Sequence, residues 1–497
     1  MKKRVRILPL LASITLLALF QTTTLAQEPK ITAAVEPASA SASGVSKEEM
    51  ERRIAQLEAQ MEEMRAELNR LKQPAVSNNA AAAAAPSAVK ETVAVAASQG
   101  RTDKPAPPRP GLDVGPVHVV PYGTIYFNIF GNSGGTNNAD VPLFATPTGP
   151  SGFSATARET RLGLRLEGPQ IAGAKSSGVF ETDFSGGFPS IGIGEDFGVL
   201  RMRLAFMKLD WKNTTLVAGQ DWTVFAPNNP VSLASVGAPE FAASGNLFAR
   251  IPQIRLQQRW LNGKLSWDVA ILGPRTGDYP TVGTTPAVLQ PGTGAASRIP
   301  AFESRLALNS KDWLGSKKAG SIGISAHYGR ARVATIPRKI DLEVVGVAGD
   351  WNMPFGKRVT LTGEAFFGRN LAGFQGAVFQ PFVPDFAYRV GAGLVPGGPR
   401  APGTRGGWAQ LGFNPAILKD RLTLYGGFAI DDPRDQDFVS ISRRDSRIRN
   451  RAFAFNFLYK LTPQLSWALE YRRLETLYIF SNRQNNNHLN LAAAYSF

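Results

Sequence analysis

The chain has 497 residues, 43% hydrophobic and 19% charged, with 49 glycines, 35 prolines and no cysteine. Such glycine and proline content disfavours a mainly helical protein, and the missing cysteine excludes disulfides, thiolate metal sites and cysteine nucleophiles. The formal net charge is +16, but the excess is largely arginine spread singly through strand-like segments, which suits an anion-attracting surface or channel better than a nucleic-acid groove.

Lys2, Lys3, Arg4 and Arg6 open the chain, Leu8 to Phe20 is apolar, and Thr24-Leu25-Ala26 precedes Gln27. Basic start, apolar core and small-x-small site predict a secretory signal peptide over 1–26. Residues 27–45 are rich in Ala, Ser and Pro and read as disordered. Ser46 and Glu49 then form a capping box, and Pro74 ends the run. Between them Ile54, Met61 and Leu68 take the a positions of a heptad, and Leu57, Met64 and Leu71 the d positions. In this register Arg53 faces Glu58 of a parallel neighbour, and Glu67 faces Lys72. The expectation is a short α-helical coiled coil over 46–73, too weak to hold an oligomer alone. Residues 74–117 read as a Pro/Ala-rich linker.

From His118 to Phe497 the chain reads as strands: 118–130, 157–168, 174–186, 198–211, 213–223, 248–260, 265–273, 301–310, 320–333, 340–352, 357–369, 404–414, 421–431, 447–461, 464–476 and 487–497. That is about sixteen, an even number, as in bacterial outer-membrane barrels. The connections alternate. Long ones cover 131–156, 186–197, 224–247, 274–300, 370–403, 431–446 and 477–486. Short ones include Trp211-Lys212-Asn213, 261–264, 352–356 and 462–464. One connection, near 334–339, is short where a long one is expected. Tight turns at one end and long loops at the other mark a membrane barrel rather than a sandwich.

Within the strands, large apolar residues fill every second place. Leu162, Leu164 and Leu166 alternate with Arg161, Arg165 and Glu167; Ile254, Leu256 and Trp260 alternate with Arg255, Gln257 and Arg259. A barrel places the apolar register outside against lipid and the polar register inside against water. Closure also satisfies the backbone groups that lipid cannot. The aromatic face of 453–471 therefore points to lipid, with Tyr459 and Trp467 near an interfacial girdle. In the last strand Leu489, Leu491, Ala493, Tyr495 and Phe497 share one face. This resembles the C-terminal assembly signal of bacterial outer-membrane proteins, carried here by Leu489, Leu491, Tyr495 and Phe497.

Signal peptide, short coiled coil, linker and barrel together resemble the DcaP-like porin family. The local likeness is best in "ETRLGLRLEG", in "LRMRLAFMKLDWKNTTLVAGQDWTVF" and in "IPQIRLQQRW". The resemblance implies a homotrimer in the cell outer membrane, a coiled coil in the periplasm, and preference for small anionic solutes such as dicarboxylates. The phosphate-selective Porin O and P type shares much of this layout; its expected lysine cluster is not evident.

Inward register assigns the pore lining to Arg161, Arg165, Arg201, Arg203, Arg255, Arg259, Arg305 and Arg472, opposed by Glu181, Asp183, Glu303, Glu364 and Glu470. Arginine suits carboxylates because its planar fork binds them bidentately and stays charged. By family likeness, loop 224–247 is expected to fold inward and narrow the pore. Enzyme chemistry is not expected. His118, His327 and His488 fall in separate strand regions, and His488 reads as an exposed strand end. "DDPRDQD" reads as a solvated loop rather than a Ca²⁺ site, because Arg434 sits within it. No cofactor, metal or nucleic acid is expected. The expectation is an outer-membrane porin with an Arg-lined pore. A structural barrel that anchors the envelope, its lumen closed, and a phosphate-type anion porin stand as alternatives.

Overall fold

The computed structural model describes residues 111–186, 198–278, 281–282, 289–334, 338–391, 393–418, 420–442 and 445–497. The expected signal peptide, the segment 27–45, the coiled-coil seam (Ile54, Leu57, Met61, Met64, Leu68, Leu71) and the linker as far as residue 110 lie outside the described residues. No described helix is long and apolar enough to cross a membrane.

An antiparallel barrel of 16 strands closes on itself. Its strands are β1 (Val117–Asn132), β2 (Arg161–Ile171), β3 (Ala174–Gly186), β4 (Val199–Asp210), β5 (Thr214–Trp222), β6 (Arg250–Trp260), β7 (Leu265–Leu272) and β8 (Ala301–Ser310). The second half comprises β9 (Gly320–Ala334), β10 (Lys339–Phe355), β11 (Val359–Arg369), β12 (Gly403–Phe413), β13 (Leu422–Pro433), β14 (Arg447–Lys460), β15 (Leu465–Tyr478) and β16 (Gln484–Ser496). Each pairs with its neighbours in sequence, and β16 returns to β1 through rungs from Thr124↔Ser496 to Asn132↔His488. Phe497 completes the seam: its N–H donates to Gly123 O at 3.0 Å, and Gly123 N–H donates to Phe497 O at 3.1 Å. Closure joins the first strand to the last, so the ring has no open edge strand.

The expected strands all form, with ends shifted by a few residues. The strand expected at 157–168 forms at Arg161–Ile171, and the connection expected at 131–156 holds a short strand of its own, Gly152–Thr156; the two pair in turn with the lower and upper halves of β1. Residues 157–160 break the ladder between them. The short connection near 334–339 also has an explanation. β9 and β10 pair without interruption from Ser321↔Asn352 to Ala334↔Lys339, so the strands themselves rise where other pairs use a loop. Conversely, the connection expected at 477–486 shortens to 479–483 because β15 and β16 extend into it. The end of the expected linker is ordered too: Leu112–Val114 pairs back on Val117–Val119.

Alternation sets the two faces. Phe453, Phe455, Phe457, Trp467, Leu469 and Tyr471 are exposed on the outer wall. Tyr459 pairs with Trp467 beside the 461–464 turn, and Trp260 stacks on Trp267 with ring centroids 6.4 Å apart at the same end. Leu489, Leu491, Tyr495 and Phe497 are likewise exposed outward.

The inner face departs from a uniformly polar lumen. Toward the long-loop end, loops enter and pack. Phe225, Leu247, Leu272, Leu371 and Phe374 form one buried apolar cluster. Val141, Leu143 and Phe144 pack on Ala242, Ala243 and Val378 in another. Phe241 packs on Trp408, Ala429, Ala452 and Leu474 of the wall. A backbone laid inside a barrel needs apolar contact and satisfied hydrogen bonds to stay put, and these residues supply the contact.

Candidate functional site

The segment between β5 and β6, residues 223–249, folds into the lumen as expected. Wall side chains hold it at successive points. Glu303 on β8 accepts the N–H groups of Val224 (2.8 Å) and Phe225 (3.1 Å). Ser325 on β9 accepts from Ala226 N–H at 3.2 Å. Glu364 on β11 accepts from Asn228 N–H at 2.6 Å. Gln410 on β12 brackets Val231, accepting its N–H at 2.8 Å and donating to its carbonyl at 3.0 Å. Glu470 on β15 accepts from the Ser232 hydroxyl at 2.5 Å. The loop then reaches Glu159, whose carboxylate takes the N–H groups of Val236 (3.3 Å) and Gly237 (2.8 Å). Gly245, at φ 128°, lies so close to β12 that an added Cβ would come within 2.3 Å of Gly407 O. Only glycine adopts that backbone and that approach without strain.

Arginines meet the loop at Val236 and Gly237. Arg161 donates to Val236 O at 3.0 Å and Arg203 donates to it at 3.2 Å. Arg201 donates to Gly237 O at 2.7 Å and Arg250 at 3.4 Å. Glu181 and Asp183 lie behind them: Arg203 bridges both at 2.7 Å, and Arg201 pairs bidentately with Asp183 at 2.9 and 2.6 Å. Arg165 lies over the Tyr122 ring, 4.3 Å from its centroid, and Tyr122 OH donates to Glu181 at 3.1 Å. Arg255 pairs with Asp221 at the loop end of β5 (2.7 Å), and Arg259 pairs with Asp210 beside the short turn (3.0 Å). Across the lumen Arg305 grips Asp350 at 3.0 and 2.6 Å.

All the sequence-assigned lining residues therefore face inward, but they divide by environment. Arg161, Arg201, Arg255, Arg259 and Arg305 are half-buried and Arg165 is exposed. Arg203, Asp183, Glu181, Glu303, Glu364, Glu470 and Arg472 are buried. Arg472 is covered by Ser235, Glu470 and Pro142 O, to each of which it donates. Glu240 of the loop approaches Arg472 at 3.9 Å. Burial, with Glu470 close by, holds the Glu240 carboxyl well above the usual carboxylate range.

Sequence reasoning missed Glu159, Arg250 and Gln410. Glu159 sits in the ladder break at 157–160, where alternation does not assign a face. Arg250 shares its register with outward Ile254 and Leu256, so period two sends it outside; instead the chain turns in at the top of β6 and Arg250 stacks over Trp222 at 4.9 Å. Gln410 is uncharged and gave no signal. Two loop readings are corrected. His488 is not an exposed strand end: it is fully buried, with Nδ1 3.0 Å from Asn132 Oδ1. "DDPRDQD" is not simply solvated. Asp431 accepts from Thr404 and Val378 N–H, and Asp437 accepts from Gly403 N–H and pairs with Arg400, because both carboxylates turn in under the loops.

A closed 16-strand barrel with an inward loop between its fifth and sixth strands is a channel fold of the outer-membrane type. The outer membrane channel DcaP of Acinetobacter baumannii shares it: TM-score 0.57 and 18% identity, covering 78% of this chain and 100% of that one. An anion-selective porin from Comamonas acidovorans aligns at TM-score 0.47 and 11% identity, over 77% of this chain and 100% of its own. OprB of Pseudomonas putida aligns at 0.44 and 10%, over 76% and 94%. No family model matches the chain, and no curated protein sequence matches it.

Proposed function

We propose that the protein is an outer-membrane porin through which small solutes diffuse, with preference for anions of the dicarboxylate type. The observation that carries this reading is the convergence of Arg161, Arg201, Arg203 and Arg250 on Val236 and Gly237 of the inward loop. Carboxylates behind the guanidiniums fix their positions, and the half-buried Arg161 and Arg201 present charge to the lumen. A solute carboxylate exchanges water for such donors and leaves again, because the site binds through rim groups and does not enclose it. Arg255, Arg259 and Arg305, each paired with an aspartate, extend the line of inward guanidiniums along the wall. The barrel works as a homotrimer. Its N-terminal segment, entering at the short-turn end, lies in the periplasm, with the coiled coil at 46–73 helping to hold protomers together or to contact the cell wall. No covalent chemistry is required.

A second reading is a structural barrel with a closed lumen. The apolar contacts of Val141, Leu143 and Phe144 with Ala242 and Ala243 favour it, since they fill space beneath the long loops. Single-channel recording in a planar bilayer under a salt gradient separates the two. Current steps with an anion-selective reversal potential support the porin; a folded, silent barrel supports the anchor.

A further inference from the structure

The outer wall is not uniform around the ring. On β1–β8 the outward positions nearest the long connections are apolar, among them Ile129, Phe184, Leu200, Ile271 and Phe302. On β11–β14 the same height carries arginine. Arg369 and Arg405 end or begin their strands, Arg449 lies at the start of β14, and Arg434 follows β13. These four line one groove of about 1010 Å³ on the outward face, beside the tall β9–β10 hairpin. Glu343, Asp432 and Asp435 share the groove. Asp432 is already divided between Arg405 (3.2 Å) and Arg449 (2.6 Å), which holds those guanidiniums in place. Among the described residues no carboxylate pairs with Arg369 or Arg434. The stem of Arg434 lies over Gly403, where an added Cβ would come within 2.8 Å of Arg434 Cδ. Below the groove Gly349, Ala365, Gly407 and Ala409 form a patch of small outward residues, flanked by the Trp351 ring, which lies over Gly363, and by Phe428, with Phe367 standing out above them at 63% exposure.

We propose that this groove binds a phosphorylated lipid of the outer leaflet, its phosphates on Arg369, Arg405, Arg434 and Arg449 and an acyl chain against the glycine and alanine wall beneath. Charge complementarity selects the occupant. Arginine forks bind phosphate oxygens bidentately, and clustered basic side chains at a membrane surface attract anionic headgroups. The small outward residues leave room for hydrocarbon that bulkier neighbours deny on the other arc. The inference rests on the outer-membrane placement proposed above but not on solute preference.

The test uses the full chain in phosphatidylcholine vesicles with and without a bis-phosphorylated glycolipid, lipid A. After extraction in nonionic detergent, lipid phosphate retained per chain is measured. The wild type is expected to retain lipid A over phosphatidylcholine. Arg369→Ser combined with Arg405→Ser and Arg434→Ser is expected to lower retention roughly tenfold or more, with single-channel conductance unchanged. Arg369→Ser alone, which breaks no ion pair among the described residues, is expected to lower it in the same direction and serves if the triple variant misfolds. Equal retention by wild type and variants overturns the proposal. So does a variant that keeps its lipid but loses its trimers, since the groove is then a subunit contact. A silent barrel that still retains lipid A defeats the porin reading and leaves this one standing.

Discussion

The carboxylate of Glu364 accepts the backbone N–H of Asn228 at 2.6 Å, joining β11 to a loop 136 positions earlier in the chain. The same carboxylate lies 3.4 Å from Trp408 Nε1. An inward acid thus serves as a clamp on the loop.

Removing the clamp is expected to widen the channel. Glu364→Ala leaves the Asn228 N–H without its partner and weakens the loop by about 1–3 kcal/mol. The ladder of the ring is untouched, so the barrel stays folded. Single-channel conductance should rise, or current should become noisy as the loop moves. Unchanged, quiet current in folded protein shows that the loop does not set the width.

Charge at the half-buried arginines is expected to set selectivity. Arg201→Ala removes a cation that a passing anion can reach. A unit charge near 4 Å in water-like surroundings is worth about 1 kcal/mol, so the anion-to-cation permeability ratio should fall several-fold. Arg165→Ala should lower it in the same direction. Arg203 is different because it bridges Glu181 and Asp183 in a buried site. Arg203→Ala is expected to lower thermal stability as well as selectivity. Reversal potentials and heat-modifiable mobility on gels, read together, separate the two classes.

Two buried acids at one place should respond in opposite ways. Glu240 is held well above the usual carboxylate range by burial and by Glu470. A carboxyl with a raised folded value binds its proton more tightly in the folded protein, so its stabilising effect is present at low pH and is lost as pH rises through that value. Glu240→Gln, which copies the protonated form, should be nearly neutral in stability and should flatten this pH dependence. Glu470→Gln instead leaves Arg472 buried beside a weakened partner. That should cost about 3–5 kcal/mol, measured as a loss of thermal stability.

Acid should free the outer hairpin. Strands Val383–Val390 and Gly393–Arg400 form that hairpin within the connection from β11 to β12. Ser440 Oγ donates to Asp385 at 2.6 Å and Ser442 N–H donates at 2.8 Å, and these bonds pull the Asp385 carboxyl down to about 2. Its contribution is complete above its ordinary value of 3.8 and is lost as pH falls from there toward about 2. Protease cleavage in 383–400 should increase over that window, and Asp385→Asn should be cleaved as readily at neutral pH. A window unchanged by Asp385→Asn would assign the opening to other groups.

Deleting 46–73 should weaken the oligomer without silencing the barrel. A heptad seam of about three turns of repeat is weak alone, and the ring closes without it. Cross-linking and conductance measured on the same preparation check both halves of the expectation. Folded protein that no longer conducts would show that this segment controls the pore.

The parts of the site that were legible are those that depend on period two. Arg161, Arg165, Arg201, Arg255, Arg259 and Arg305 alternate with large apolar residues, and each faces inward as the pattern requires. Arg250 breaks its register and Glu159 lies outside any register, so neither could be assigned from the pattern. Which inward acids meet water was also hidden. Glu303, Glu364 and Glu470 look alike in their strands, yet each is covered by a different stretch of the loop.

The sequence by itself determined the strand set, the outward apolar face, the arginine excess and the odd-even rule of the connections. These are local properties: a side chain's face follows from its place in a pleated strand, and a turn from the few residues within it. The tertiary structure alone decided how the lumen is filled. It brought Asn228 to Glu364, Glu240 to Arg472 and Arg250 to Gly237, and it set arginines on one arc of the outer rim against apolar residues on the other. Those relationships depend on closure, because only a closed ring carries residues far apart in the chain to opposite sides of one loop.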